Sequence, residues 1–318
     1  MTSLPTTPRV AAKDSASQHM GGATALNLPV IYICPGITPN GVGERLLKES
    51  LSKTYETVLL SYPNWRKGAQ ADSTFDSIIV DLLHEIDSHS SSRPIFLVGY
   101  SFGGYCAYVC CVRLEAAGKS IKGIAILDAV AQFEAMIPSR SKRIRLRCEK
   151  LATLDICQGL ASLLAKGMTR EPGLPLLRWA SGFHNVRLPL NFGSFLDRKL
   201  TMQLLWRRCR AYWRTRQLPE EALLTPAFVY RSNAHAASQP EDLGWSSHFK
   251  NVTSFSLAID HEHVLGPQQI EFVLATLSGA ALNEPDRNTV PMARRDTSNV
   301  DSSPRSTRRY VAGVPVNG

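Results

Sequence analysis

An α/β fold with a mostly parallel sheet covered on both faces follows from three features of this 318-residue chain. Short β-branched runs, apolar on both faces, alternate with amphipathic helical patterns. One of these runs leads through a glycine-flanked serine directly into a helix. The stretch between the fourth and fifth runs is nearly a hundred residues long and carries helical patterns but no strand.

The expected strands are Val30–Cys34 and residues 57–61, 94–99, 122–128, 226–230 and 253–258. Between them lie helices. One begins near Gly43. In the segment after Ser73, Phe75, Ile78, Ile79, Leu82, Leu83 and Ile86 fall on one stripe of a 3.6-residue repeat, with Asp76, Asp81, His84 and Glu85 opposite. Another runs from Gly103-Gly104 through Leu114 and stops at Gly118. Gly266-Pro267 opens the last, with proline at the first helical position, where a missing N–H costs nothing.

Residues 27–282 read as the folded domain. Residues 1–26 and the basic stretch 283–318 are rich in Ser, Thr, Pro, Asn and Arg without apolar periodicity, and both are expected to be disordered tails. Residues 129–225 read as an insertion, a helical lid, with helices near 139–150, 156–166 and 195–216. This segment holds the positive charge: residues 133–216 contain 17 Lys/Arg against 5 Asp/Glu, so the rest of a chain of net charge +9 is slightly acidic.

With 44% apolar and 20% charged residues the chain has enough material for a buried core, which excludes general disorder and collagen-like repetition. Its apolar runs are strand-sized, so no membrane span is expected. No apolar stretch follows a basic start, so no cleaved secretory signal is expected either, and the expected compartment is the cytoplasm. Seven cysteines, an odd number without a C-x-x-C, argue against a disulfide framework and a zinc site. They read as reduced, mostly buried thiols.

Gly99-Tyr100-Ser101-Phe102-Gly103, after a five-residue apolar strand and before a helix, has the form of a nucleophile elbow. Small residues two before and two after the serine leave room for the sharp turn. Ser101 is the expected nucleophile. A serine hydroxyl is barely ionised at neutral pH and needs a histidine base oriented by a carboxylate. Asp128 ends the next strand, at the sheet edge where catalytic groups gather; Asp242 and Glu241 compete for the role, and Asp260 is too near the histidines in sequence. His261 and His263 follow the last expected strand, where the base belongs. His19, His84, His184, His235 and His248 read as solvated or structural. The H-x-H pair has no third ligand at metal-binding spacing, so no metal is expected. The expected oxyanion donors are the backbone N–H groups of Phe102 and of Ile37, in Cys34-Pro35-Gly36-Ile37-Thr38.

Taken together, Cys34-Pro35-Gly36, Val98-Gly-Tyr-Ser-Phe-Gly-Gly104, Leu114-Glu-Ala-Ala-Gly118, Ile124-Ala-Ile-Leu-Asp128, Phe228-Val-Tyr-Arg231, Gly244-Trp245 and Asp260-His261-Glu-His-Val-Leu265 give the chain a resemblance. It resembles the thioesterase family of polyketide synthases, fatty acid synthases and nonribosomal peptide synthetases, over about residues 29–277. The resemblance implies an α/β-hydrolase fold, favours Asp128 as the acid and selects His261 over His263. It also implies a substrate: an acyl chain on the phosphopantetheine thioester of an acyl or peptidyl carrier protein, released by hydrolysis or cyclisation with no bound cofactor. Carrier proteins are generally acidic, and the basic lid is where one would be steered.

Two other classes remain in competition. A small-molecule carboxylesterase or lipase would use the same triad on oxygen esters. A non-catalytic binding relative would have no use for an intact triad. Nucleic acid is not an expected partner, because Trp206 and Trp213 are spaced like one buried helix face.

Overall fold

A computed structural model describes residues 28–38, 41–89, 93–131, 156–182, 190–215, 219, 221–236, 239–278 and 309–310. The expected N-terminal tail, all of the C-terminal tail except 309–310, and the helix expected near 139–150 lie outside the described residues.

Among the described residues seven strands form one sheet: β1 (Val30–Cys34), β2 (Thr57–Leu59), β3 (Ile95–Tyr100), β4 (Ile121–Leu127), β5 (Ala227–Arg231), β6 (Val252–Ser256) and β7 (Arg309–Tyr310). Their spatial order is β2-β1-β3-β4-β5-β6-β7, and every neighbouring pair is parallel. The first six fall where apolar runs predict them. Strand β7, in a stretch of Ser, Thr and Arg, has no such signal; its two residues add to the edge of β6 by backbone pairing.

The helices are α1 (Val42–Leu51), α2 (Trp65–Gly68), α3 (Phe75–His89), α4 (Phe102–Ala116), α5 (Ile156–Met168), α6 (Leu174–Ser181), α7 (Leu190–Thr215), α8 (Asn233–Ala236) and α9 (Pro267–Leu277). Alternation along β1 divides the core into two layers. Val30, Tyr32 and Cys34 face a cluster with Ile79 and Leu82 of α3 and Tyr105 and Tyr108 of α4. Ile31 and Ile33 face Leu47 and Leu51 of α1 and Ile270, Val273 and Leu277 of α9. A sheet buried on both faces accounts for strands without polar alternation.

Helices α5, α6 and α7 lie in the chain between β4 and β5. They form a small core of their own, in which Ala161, Ala165, Leu177, Leu200 and Leu204 close on Trp65. Trp65 also ties the body to α7 by polar bonds: its indole donates to Asp197 Oδ1 at 2.6 Å and its amide to Thr201 Oγ1 at 3.0 Å. Further along α7, Leu205 and Cys209 join the main core. Trp206 packs on Phe102 and Tyr105, and Trp213 stacks on Tyr108 with ring centroids 5.8 Å apart. The aromatic residues of this helix are thus spent on packing. Helix α6 is not among the helices expected from the sequence; Pro175 stands in its first turn, where proline is tolerated.

Cys34, Cys106, Cys110, Cys111 and Cys209 are free and buried. Among the described residues no helix is long and apolar enough to cross a membrane.

Candidate active site

The parallel sheet brings the carboxyl ends of β1, β3, β4, β5 and β6 to one edge, and every group of the candidate site stands there. Strand β3 passes into α4 through Ser101, whose backbone sits at φ 52° and ψ −114°, a conformation costly for a residue with a side chain. The turn is possible because its neighbours are glycines. A Cβ at Gly103 would lie 2.0 Å from the Cys34 carbonyl oxygen, one at Gly99 2.4 Å from that of Gly103, and one at Gly104 2.6 Å from Ala129 Cβ. The Ser101 amide donates to the Leu127 carbonyl at 2.8 Å, which fixes the elbow to the neighbouring strand.

Asp128 follows β4 at φ 54° and is only 1% exposed. Burial alone would push its carboxyl up. Hydrogen bonds from His261 and from the Ser232 hydroxyl and amide outweigh that and hold it below the usual carboxylate range. The Ser232 amide donates to Oδ1 at 2.7 Å and its hydroxyl to Oδ2 at 2.6 Å.

His261 opens a short 3-10 turn, His261–His263, after β6. Its Nδ1 lies 2.5 Å from Asp128 Oδ2 and its Nε2 lies 3.1 Å from Ser101 Oγ. One tautomer satisfies both contacts: Nδ1–H donates to the carboxylate, and Nε2 accepts from the serine hydroxyl. Tyr100 holds the histidine from behind. Its ring stacks on the imidazole with centroids 5.3 Å apart, and its hydroxyl donates to the His261 carbonyl at 2.9 Å. Burial, the largest cause, and nearby carboxylates push that phenol up to about 12, so it stays a donor across the neutral range.

The loop after β1 is fixed by two side chains. The Tyr62 hydroxyl donates to the Pro35 carbonyl at 2.8 Å, and the Gly36 amide donates to Oε1 of buried Glu44 at 3.1 Å. Ile37, next in this loop, and Phe102, at the start of α4, line one cavity with Ser101 and His261. As the first residue of a helix, Phe102 has an amide with no carbonyl of its own helix to bond. The cavity measures about 330 Å³, and α7 closes it from above with Met202, Gln203 and Trp206. A broader depression on the outer face of α1, about 550 Å³ over Arg45, Lys48, Glu49, Ser52, Lys53 and Leu59, contains none of these groups.

Ser101, Asp128, His261, Ile37 and Phe102 are therefore brought together. The rival candidates are not. Asp242 accepts the amides of Gly244 (3.0 Å) and Ser246 (2.8 Å) and caps the turn that presents Trp245 to the core. Glu241, Asp260 and His263 are exposed. His248 is buried against Tyr108, with Nδ1 3.3 Å from its hydroxyl, and His84 is exposed on α3. His19 and His184 lie outside the described residues. One expectation is corrected: His235, read as solvated or structural, lines the cavity, with Nε2 3.8 Å from Asp128 Oδ2. Sequence gives no sign of this, because α8, which carries His235, is a four-residue turn whose direction is set by β5.

The comparisons with known proteins agree with this architecture. A family model described as the thioesterase domain matches residues 45–170, a stretch that contains Ser101 and Asp128. Over 66 residues, 21% of its length, the chain is 33% identical to malpinin synthetase of Mortierella alpina, and those residues make up 1% of that much longer protein. Among solved structures, the Vlm2 thioesterase domain is similar at a TM-score of 0.52 and 19% identity, over 81% of this chain and 94% of that one. The four-domain nonribosomal peptide synthetase holo-AB3403 is similar at 0.53 and 17%, over 80% of this chain and 19% of that one. RedJ is similar at 0.51 and 16%, over 80% and 94%. At these identities the structural likenesses speak for the fold; the thioesterase match comes from the sequence itself. The chain thus has the fold of these thioesterase domains, a mostly parallel sheet flanked by helices as in the α/β-hydrolases, and over residues 45–170 its sequence is similar to the thioesterase domain family.

Proposed function

We propose that the chain releases an acyl or peptidyl group from the phosphopantetheine thioester of a carrier protein, in polyketide or nonribosomal peptide biosynthesis. Ser101 Oγ attacks the thioester carbonyl while His261 Nε2 takes its proton. Asp128 holds the Nδ1–H tautomer and stabilises the imidazolium that forms. The Ile37 and Phe102 amides receive the oxyanion. The carrier thiol leaves with the proton from His261, and the acyl group stays on Ser101 as an ester. In the second half, His261 deprotonates either water, giving a free acid, or a nucleophile of the acyl chain itself, giving a ring. The side chains do this without a bound metal or organic cofactor; the pantetheine arm arrives with the substrate. A cytoplasmic place of action goes with this reading.

The observation that carries it is the unbroken hydrogen-bonded line from Ser101 through His261 to Asp128, opening on a cavity under α7. The basic lid suits an acidic carrier, although part of its charge is engaged. Arg208 donates to the Gly68 and Gln70 carbonyls, and Arg207 lies 3.8 Å from Glu171. Among the described residues Arg170, Arg178, Arg198 and Arg214 of the lid are exposed, and of these Arg178 donates from Nε to the Ala69 carbonyl.

The test is intact-mass spectrometry of wild type and Ser101→Ala after incubation with acyl thioesters, presented as small mimics and on a carrier protein. The expected result is an acyl adduct on wild type only, formed faster from the carrier. Turnover of oxygen esters with no adduct from any thioester would overturn the substrate class in favour of a carboxylesterase. Turnover by Ser101→Ala would overturn the triad.

A further inference from the structure

Asp128 Oδ2 faces two imidazoles. His261 Nδ1 lies 2.5 Å away on one side and His235 Nε2 3.8 Å away on the other, and the two rings stand nearly perpendicular at 6.4 Å between centroids. The second distance is too long for a hydrogen bond. Among the described residues, Asp128, His235 and His261 form a group whose ligand atoms all lie within 4.8 Å of one another. Tetrahedral zinc with nitrogen and oxygen ligands at about 2.0–2.1 Å holds those ligands about 3.3 Å apart. The observed 2.5 and 3.8 Å straddle that value and the separation of the two imidazole nitrogens is within 4.8 Å, so closing on an ion needs movements on the order of 1 Å. Two imidazoles and one carboxylate are a donor set suited to zinc and neighbouring transition metals rather than to calcium or magnesium.

The surroundings fit as well. The carboxylate is buried, and Ser232 bonds both of its oxygens, the kind of outer support that orients a metal ligand. Both histidines line the cavity, which leaves a fourth coordination position open to water.

We propose that Asp128, His235 and His261 form a binding site for a divalent transition-metal ion, with Zn²⁺ as the probe, and that occupation of this site switches the enzyme off. The ion takes the place of the proton on His261 Nδ1, which passes by way of solvent to Nε2, so the imidazole stays neutral and gives the ion its Nδ1 lone pair. Asp128 Oδ2 and His235 Nε2 each give it a lone pair, and water completes the shell. With the metal on Nδ1, His261 no longer donates to Asp128, and Nε2, now protonated, can no longer take the proton of Ser101 Oγ. No oxidation or reduction is involved. The binding half stands on the three ligands alone, whereas the inhibition half rests on the roles proposed for Ser101 and His261.

Two readouts on the full chain separate these halves. Zn²⁺ affinity is measured by competition with a chromophoric chelator in wild type, Ser101→Ala, His235→Ala and His235→Gln, and turnover of an activated acyl ester is followed in wild type with and without Zn²⁺. Wild type and Ser101→Ala are expected to bind equally, because Ser101 is not a ligand. Both His235 variants are expected to lose the site, by at least about tenfold in affinity. Wild-type turnover is expected to fall as the site fills, to return with EDTA and to be indifferent to Mg²⁺. Zinc binding that is absent in wild type, or the same in both His235 variants as in wild type, overturns the site. Binding that depends on His235 without loss of turnover overturns the switch and leaves the site standing. If no ester is turned over at all, the triad reading has failed, and the comparison of Ser101→Ala with the His235 variants still decides the metal site.

Discussion

Tyr100 grips His261 twice: its ring stacks on the imidazole, and its hydroxyl donates to the His261 carbonyl at 2.9 Å. Because Tyr100 directly precedes Ser101, the elbow that presents the hydroxyl also locates the turn that presents the imidazole. Tyr100→Phe keeps the stacking and removes one neutral hydrogen bond. That is worth about 1 kcal/mol, so kcat is expected to fall about fivefold with a small change in Tm. Tyr100→Ala removes both contacts and is expected to fall much further. Steady-state turnover of one ester by the three proteins, with thermal melts alongside, checks the order.

The carboxylate of Asp128 depends on Ser232 as much as on His261. Ser232→Ala removes the hydroxyl donor at 2.6 Å and leaves the amide donor at 2.7 Å. Hydrogen bonds to a charged group are worth about 1.5–3 kcal/mol, so a loss of about tenfold in kcat is expected. Asp128→Asn imposes the wrong histidine tautomer and is expected to cost on the order of 10⁴, by analogy with the serine-protease triad. Assays of both variants against wild type decide whether the two effects differ in this order.

Asp242 has another job, and pH separates it from Asp128. Burial would raise its carboxyl, but hydrogen bonds from Ser246 and from the Gly244 amide hold it below the ordinary range. A folded value below the unfolded one gives stability that is present above about pH 3.9 and lost as pH falls through the folded value. Asp242→Asn is therefore expected to be less stable than wild type near neutral pH, by less than about 1 kcal/mol because water screens a half-buried group. The two melting curves should converge at acid pH. Activity at neutral pH is expected to stay within about twofold. A large loss of activity here, with Asp128→Asn mild, would move the acid.

Much of this site was legible in the sequence because its residues sit at strand ends, and strand ends follow from apolar runs. Ser101 is marked by the glycines that its turn requires and Asp128 by the end of β4, whereas the place after β6 marks His261 and His263 alike and the family resemblance selects between them. Ser232, His235, Tyr100 and Glu44 carried no such mark. Their roles come from contacts between segments far apart in the chain: Ser232 meets Asp128 across 104 residues, and Tyr100 meets His261 across 161. Only the parallel register of β3 to β6 makes them neighbours. In the lid, the sequence shows an excess of positive charge over residues 133–216 but not which cations are engaged, and the fold ties Arg208 to the carbonyls of Gly68 and Gln70.

The strain at Ser101 should be measurable without activity. Its φ of 52° and ψ of −114° suit glycine far better than a residue with a Cβ. Ser101→Ala keeps the Cβ and its strain, whereas Ser101→Gly removes both. Both variants are expected to be inactive. Despite the greater freedom glycine gives the unfolded chain, Ser101→Gly is expected to be the more stable by about 1 kcal/mol, read as a higher urea midpoint at unchanged slope. Equal midpoints would mean that the surrounding elbow relaxes to fit either residue.

The exposed lid arginines give a test of the partner that leaves the chemistry alone. Arg198 and Arg214 are exposed on α7, and neither lines the cavity. If an acidic carrier is steered to this face, Arg198→Glu combined with Arg214→Glu should lower kcat/KM for a carrier-borne thioester by about tenfold at low salt, with the effect shrinking as ionic strength rises. Turnover of the same acyl group on a small thiol should be unchanged, since that substrate reaches Ser101 without docking. Equal losses on both substrates would point to a disturbed lid, and no loss on either would place the carrier on another face, with the depression over Arg45 and Lys48 of α1 and Lys53 just after it the next surface to reverse.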